Sequence, residues 1–417
     1  MTTGTEQRVD TRGPLGRLAG NFSALRGFNI RLYLAGNALS LIGSYAQMFA
    51  QWWLVLSLTD NKAVLPITVG LQTLPVLVLG PWGGSIVDRF DNRRLITVTT
   101  LLNTAAAASL GLLVATGHVS VLTVYVFGVL VGCISVVERP ALQAILSQYA
   151  RPDEIPSAVG LNSMLNPIAR LAGPPIASLC ISTIGIAWCF YVNAMSFVVF
   201  LVMLLSTRRA DMLPRRQTAR GKGAVRDGFR YARHHPTVGP ALLAMFVVGF
   251  AGFNFAMILP LMGKYTFHVD ENHLSLVFSM SAVGSLLGGA LIAGVRHPTM
   301  RRIGAVGIVF GVLLVSAGAS PNYFWWVATS GFVGFAGVAF PTLVVSLLQQ
   351  TSSPEMLGRV MALYGVAFFG TTPFGAAFVA WLTSAFSARA GFLVGGAIVA
   401  LTGVVTALLY RSVDSHQ

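Results

Sequence analysis

Acidic residues are scarce in this chain: 14 Asp and Glu stand against 28 Lys and Arg in 417 residues, giving a formal net charge of +14. Charged residues of both signs make up only 10%, where soluble domains carry roughly 25%, so an ordinary water-facing globular surface is excluded. Cysteine is nearly absent. Cys133, Cys180 and Cys189 are odd in number and match no metal-site spacing, which rules out a complete disulfide framework; they read as small packing residues. The patterns G-x-S-x-G, H-E-x-x-H and G-x-x-x-x-G-K-[ST] are missing as well, so neither a membrane enzyme nor an ATP-driven pump is supported, and no cofactor or metal is called for. The first 29 residues are polar, contain Arg8, Arg12, Arg17 and Arg26, and have no apolar core before Leu32, so a cleaved signal peptide is not expected.

Apolar residues are abundant, at 54% with a mean hydropathy of +0.71. They fall into about twelve runs of the ~20 residues a helix needs to cross a bilayer: 30–56, 63–87, 95–116, 119–137, 158–181, 186–206, 238–262, 273–295, 303–320, 324–348, 359–385 and 390–410. The expected fold class is therefore an all-α polytopic membrane protein. With the N-terminus in the cytoplasm, 24 of the 28 Lys and Arg lie on that side, leaving Lys62, Lys264 and Arg389 outside and Arg170 within a span. Basic loops stay cytoplasmic, so both termini are expected inside a plasma membrane. The basic loop 207–237 should orient the chain and attract anionic lipid. It shows no aromatic-interleaved basic face, so nucleic acid is not an expected partner.

The spans repeat. Gly83-Gly84 and Gly288-Gly289 are 205 residues apart, and Pro152-Asp153-Glu154-Ile155 and Pro354-Glu355-Met356-Leu357 are 202 apart. A shared offset across one long loop points to two parallel six-helix units with binding at their interface. The expected division is a tail 1–29, a bundle 30–206, the loop 207–237, a second bundle 238–410 and a tail 411–417. In the second copy of the turn after span two, Ala293 takes the acid's place and Arg296, Arg301 and Arg302 keep the charge.

The turn itself, Gly84-Ser85-Ile86-Val87-Asp88-Arg89-Phe90-Asp91-Asn92-Arg93-Arg94, packs two acids and three arginines between two apolar runs. It resembles the loop motif of the major facilitator superfamily of secondary transporters, with Asp91 where that family usually has Gly. The resemblance implies that Asp88, with Gly84, Arg89, Arg93 and Arg94, latches the cytoplasmic side shut against the N-terminus of span eleven near Gly358 and Arg359, where helix-end amides favour an anion. In span five, Gly160, Ala169, Gly173, Pro174, Ala177 and Ser178 fit G-x8-G-x3-G-P-x2-G-G with small residues replacing three glycines, which resembles the fifth-helix motif of antiporters and is associated with export. Small residues let helices approach, and Pro174 and Pro175 permit a bend. Similar spacings at Gly80/Gly84, Gly128/Gly132 and Gly284/Gly288 are ordinary packing, so a packing role stands beside a conformational one. Pro140-Ala141-Leu142-Gln143-Ala144 and Asn162-Ser163-Met164-Leu165-Asn166 are similar to the branch containing enterobactin-type siderophore exporters and macrolide efflux proteins.

The resemblance implies a secondary active transporter of small molecules, with a proton-coupled exporter of lipophilic or amphipathic compounds as the leading reading. An importer or facilitator, or a non-transporting receptor of the same fold, is the alternative. Glu138 is the one acid of the 14 placed within a span; it either carries the coupling proton or marks the membrane edge. Related transporters often carry an acid in span one after Ser-x-x-Gly, whereas here Ser40-Leu41-Ile42-Gly43 is followed by Ser44. Arg170 either serves a cavity or gate or bonds helix carbonyls. In this fold spans one, four, seven and ten line the cavity, which directs attention to Gln47, Gln51, Tyr125, Asn254, Phe250, Phe253, Phe255, Phe332 and Phe335.

Overall fold

A chain crossing hydrocarbon must satisfy its backbone polar groups within itself, and a run of this length does so as a helix. The computed structural model describes residues 23–151, 154–213, 224–292, 294–295 and 297–410. The expectations for residues 1–22 of the N-terminal tail, for Pro152, Asp153, Ala293 and Arg296, for 214–223 of the central loop and for the tail 411–417 lie outside the described residues. The helices are α1 (Phe28–Leu58), α2 (Val64–Arg89), α3 (Asn92–Ala115), α4 (Val121–Tyr149), α5 (Ile155–Ile184), α6 (Ile186–Leu205), α7 (Ala224–His234), α8 (Val238–Ala251), α9 (Phe255–Met262), α10 (Glu271–Ile292), α11 (Met300–Gly318), α12 (Tyr323–Thr351), α13 (Pro354–Phe369), α14 (Thr372–Ala385) and α15 (Ala390–Leu409).

Among the described residues, 9 spans are long and apolar enough to cross a membrane, counting α8 with α9 and α13 with α14 as single spans. A tenth is α2, which bends by 62° between Gly80 and Trp82, where Pro81 supplies no backbone donor. The other two long helices, α1 and α5, run to 31 and 30 residues but are more polar. They carry Asn37, Gln47 and Gln51, and Asn162, Asn166 and Arg170.

Helix pairing repeats from one half to the other. In the first half α1 packs on α5 and α6, α2 on α4, and α3 on α6; in the second α8 packs on α13 and α15, α10 on α12, and α11 on α15. The halves meet through α2 with α14 and α5 with α10. Glycine sets the closest approaches. An added Cβ at Gly284 of α10 would run into the Gly331 carbonyl of α12, and one at Gly334 into the Ser281 carbonyl. Such backbone contact is the means by which helices associate in a lipid that offers no hydrophobic drive between them.

One span runs well past its sequence-based boundary, and the basic loop contains a helix. Span four was expected to end at Val137, but α4 continues through Pro140 to Tyr149. Residues after Val137 still pack inward: Ala141 and Ile145 are fully buried. Within the basic loop, α7 lies against α13, where Asp227 pairs with Arg359 at 3.4 Å; Ala232 is buried while Phe229 is 63% exposed, as in a helix that rests at an interface. Gly284→Val should cost at least the ~1–3 kcal/mol of an overpacked core. Gly365→Ala, where an added Cβ meets nothing within 4 Å, should not destabilise; thermal unfolding of the purified variants checks both.

Candidate functional site: a cavity between the halves

A cavity of about 570 Å³ lies between the two halves. Tyr45, Met48 and Trp52 of α1 line it with Arg170 and Pro174 of α5, Phe253 and Phe255 at the α8–α9 break, Phe278 of α10, Pro341 and Thr342 of α12, and Tyr364 and Phe368 of α13. The two polar helices are thus lining helices, although of their polar residues named above only Arg170 lines the cavity. At the end away from the 89–94 turn the halves are joined. Phe278 packs on Phe49 and Trp52 at ring distances of 5.6 and 5.7 Å, Ser178 Oγ donates to Asn272 Oδ1 at 2.6 Å, and Lys264 Nζ donates to the carbonyls of Leu56 and Thr59 and to Asp60 Oδ1 at 2.8 Å. Toward the basic end, positions on the seam helices Gly80, Gly160, Gly358 and Gly365 face open space. The halves are thus joined by these contacts at one end of the cavity, while open space faces the seam glycines toward the other.

Both breaks beside the cavity are held by polar side chains. Asn254 Nδ2 donates back to the Phe250 carbonyl at 2.5 Å, and Thr371 Oγ1 donates to the carbonyls of Ala367 and Phe368 at 3.3 and 3.1 Å, replacing helix bonds interrupted there. The breaks nest: a Cβ at Gly249 would sit 2.7 Å from Thr371 Oγ1, and one at Gly375 would sit 2.6 Å from the Phe250 carbonyl.

Of the residues singled out for the cavity, Phe253 and Phe255 line it; the others are corrected as follows. Gln47 and Gln51 line a separate pocket of about 30 Å³ inside the first half, and Gln47 Oε1 accepts from Asn193 at 2.7 Å. Tyr125 is half-buried against the core. Asn254 is 1% exposed and spent on the helix break, and Phe250 packs on Phe378 at 5.1 Å. Phe332 is 62% exposed on the outer face, while the backbone of Phe335 packs against Gly284 and Gly288. The cavity is mainly aromatic; Gln47 serves an interhelical bond and Asn254 the break in its own span. The stripe that does line it, Tyr45, Met48 and Trp52, has helical i, i+3, i+7 spacing, one residue out of phase with Gln47 and Gln51. Phe278, Tyr364 and Phe368 belong to spans eight and eleven, outside the four that the fold resemblance assigns to the cavity.

In the span-five motif, Gly173 faces α1, where an added Cβ would lie 2.6 Å from the Tyr45 Cβ; Ala169 and Ala177 are fully buried, Pro174 lines the cavity and Gly160 faces open space. Arg170 is at the middle of α5 with its guanidinium 5.5 Å from the Phe255 ring centre. Among the described residues no carboxylate pairs with it and no protein acceptor receives its hydrogen bonds. Placing an arginine at such depth costs roughly 2.5–3.5 kcal/mol on insertion scales, and the cavity is where water can reach it. Glu138 accepts from Asn103 Nδ2 through both carboxylate oxygens, at 2.9 and 3.0 Å. With α4 extended to Tyr149, it sits 11 residues inside the helix end, about 16 Å at 1.5 Å per residue, and it does not line the cavity.

At the basic turn Asp91 caps α3, accepting from the Arg94 backbone N–H at 2.8 Å, which gives a local reason for an acid at that position. Arg93 is buried and donates to the Leu205 carbonyl at the end of α6. Gly84 is buried; Asp88, Arg89 and Arg94 are exposed. Arg359, expected near Asp88, pairs with Asp227, and Gly358 faces open space.

The model of the family described as transmembrane secretion effector matches residues 19–415. The chain belongs to this major facilitator family. It is 23% identical to the macrolide efflux protein A of Streptococcus pyogenes, over 90% of this chain and 94% of that protein, and 23% identical to the staphyloferrin A transporter of Staphylococcus aureus, over 68% and 72%. A solved bacterial homologue of the human lysosomal transporter Spinster, inward-facing and unoccupied, superposes with a TM-score of 0.68 at 16% identity, over 92% of this chain and 95% of that one, a likeness of fold. The protein is a multi-pass efflux or secretion transporter, not an enzyme.

The hydrogen bond and charge of Lys264 hold the Asp60 carboxyl below its ordinary value. The pairing is therefore complete above the ordinary carboxylate range and is lost only as pH falls through the depressed value. Lys264→Met should raise labelling of a cysteine at Met48 severalfold when an impermeant maleimide is applied from the sealed side, in a variant lacking the three native cysteines. Lys264-containing protein should stay equally protected at pH 8 and about pH 5.

Proposed function

We propose that the chain is a proton-coupled exporter of lipophilic and amphipathic small molecules that works by alternating access. The observation that carries this reading is the aromatic cavity between the halves, sealed at one end and open at the other. Its volume lies within the range of small-molecule sites. The distribution of basic loops supports twelve spans with the open end in the cytoplasm, so that substrate loads from inside and leaves when the halves rock. The nested breaks at Asn254 and Thr371 supply points where α8–α9 and α13–α14 bend together. The basic residues of the loop 207–237 favour anionic lipid at the cytoplasmic leaflet.

Rocking must close the open end, and the 89–94 turn stands where α2 would meet the start of α13. Asp88 then meets helix-end amides near Gly358, in a state other than the one described above. Asp88→Asn should be expressed and inserted normally yet transport several-fold more slowly, as read by initial efflux rates at matched protein levels. Unchanged rates would remove the latch.

The chain offers no nucleotide site, so an ion gradient must drive it. Glu138, held by Asn103 well inside the first half, is the carboxylate best placed to bind and release a proton. A potential of 100 mV supplies about 2.3 kcal/mol per charge, on the order of a fiftyfold concentration ratio for one proton per substrate. Glu138→Gln should abolish accumulation against a gradient in proteoliposomes while leaving downhill exchange. If that variant still builds a gradient that a protonophore collapses, the proton site lies elsewhere; if protonophore leaves the wild type unaffected, proton coupling is wrong.

A further inference from the structure

We propose that the cavity takes a substrate with an oxyanion head and an apolar or aromatic body, and that Arg170 is the residue that selects it. The inference rests on the transport reading above and adds the substrate class. Arg170 projects from the middle of α5 into the cavity, and no acid is among the residues lining it. These described acids are engaged elsewhere: Asp60 with Lys264, Asp227 with Arg359, Asp270 with His273, Glu138 with Asn103, Asp91 with the Arg94 amide and Glu154 with the Arg151 amide. The cavity therefore carries a net positive charge that the protein itself does not neutralise.

The guanidinium is planar and presents five donors in a fork that matches a carboxylate, sulfonate or phosphate edge. Stacking near the Phe255 ring, at 5.5 Å, leaves the in-plane donors available. Paired oxyanion bonds in a low-dielectric site are stronger than those in water and geometrically selective. Around this one charge the lining is Trp52, Phe253, Phe278 and Phe368, so the same molecule must offer apolar surface. A cationic amphiphile of equal size meets like charge here and is disfavoured.

A head-group series on one aromatic body tests this: pyrenebutyrate, pyrenebutanol and pyrenebutylamine, with binding to the full-length protein in phosphatidylcholine vesicles read by energy transfer from tryptophan and corrected for partition into protein-free vesicles. The wild type should bind the carboxylate about tenfold or more tightly than the alcohol, and the amine most weakly. Arg170→Gln should bring carboxylate and alcohol to nearly equal affinity, and Arg170→Lys should keep part of the preference, because the charge remains and the fork is lost. Equal affinities in the wild type, or an undiminished preference in Arg170→Gln, would overturn the proposal, and the wild-type comparison decides even if a variant fails to fold. Protonophore-sensitive accumulation of pyrenebutyrate beyond that of protein-free vesicles reports on the transport reading separately: its absence with the head-group preference intact would leave the anion site and remove the coupling.

Discussion

Inside a bilayer a polar group has no water to fall back on, and each one must find its partner within the protein. The architecture follows from that demand. Asn37 meets Asn162, Asn193 meets Gln47 and Asn103 meets Glu138 across helix seams; Tyr33 donates to the Leu142 carbonyl at 3.0 Å. Where a helix is interrupted, Asn254 and Thr371 supply the missing donors. Glycine lanes on α10 and α12 let backbones touch, so that dispersion and interhelical bonds replace the hydrophobic drive that lipid removes. Against this background Arg170 stands apart as a buried-depth charge that the fold positions without neutralising.

The proposed rocking between states meets the same demand. A continuous helix resists bending because each turn is bonded to the next, so flexibility needs places where those bonds are already broken. The α8–α9 and α13–α14 breaks are such places, and they abut through Gly249 and Gly375, where a side chain would collide with the partner break. Contact between the halves is concentrated at the end sealed by Phe278, Asn272 and Lys264. A rigid cluster of rings and short hydrogen bonds has few intermediate arrangements, which favours two discrete packings over a continuous opening.

Membrane helices, their approximate ends and the family were legible in the residues, because apolar length and the arginine-rich turn are local signals. Boundaries failed where tertiary burial outran local polarity: Glu138, Arg139 and Pro140 look like a membrane edge, yet α4 continues because Ala141 and Ile145 have partners in the first half. Cavity assignment was weaker still. Amides and aromatics on four spans are the sequence's candidates, but Gln47 and Asn254 bond to protein partners, Gln51 lines a separate small pocket, and Phe332 is exposed. The lining is aromatic, and an aromatic residue in a membrane protein looks the same in sequence whether it faces lipid, core or cavity.

Composition and order along the chain were enough to determine that this is a helical membrane protein with two related halves, since hydropathy, loop charge and internal offsets require no knowledge of contacts; that it is a transporter followed from the resemblance of its motifs to a family. Only the tertiary structure decided which helix faces meet, which end of the cavity is sealed, and that Arg170 reaches the cavity without an acid beside it. Those are properties of pairs: a charge is satisfied or left open by what residues far away in sequence place within about 4 Å of it, and no stretch of the chain read alone contains that distance.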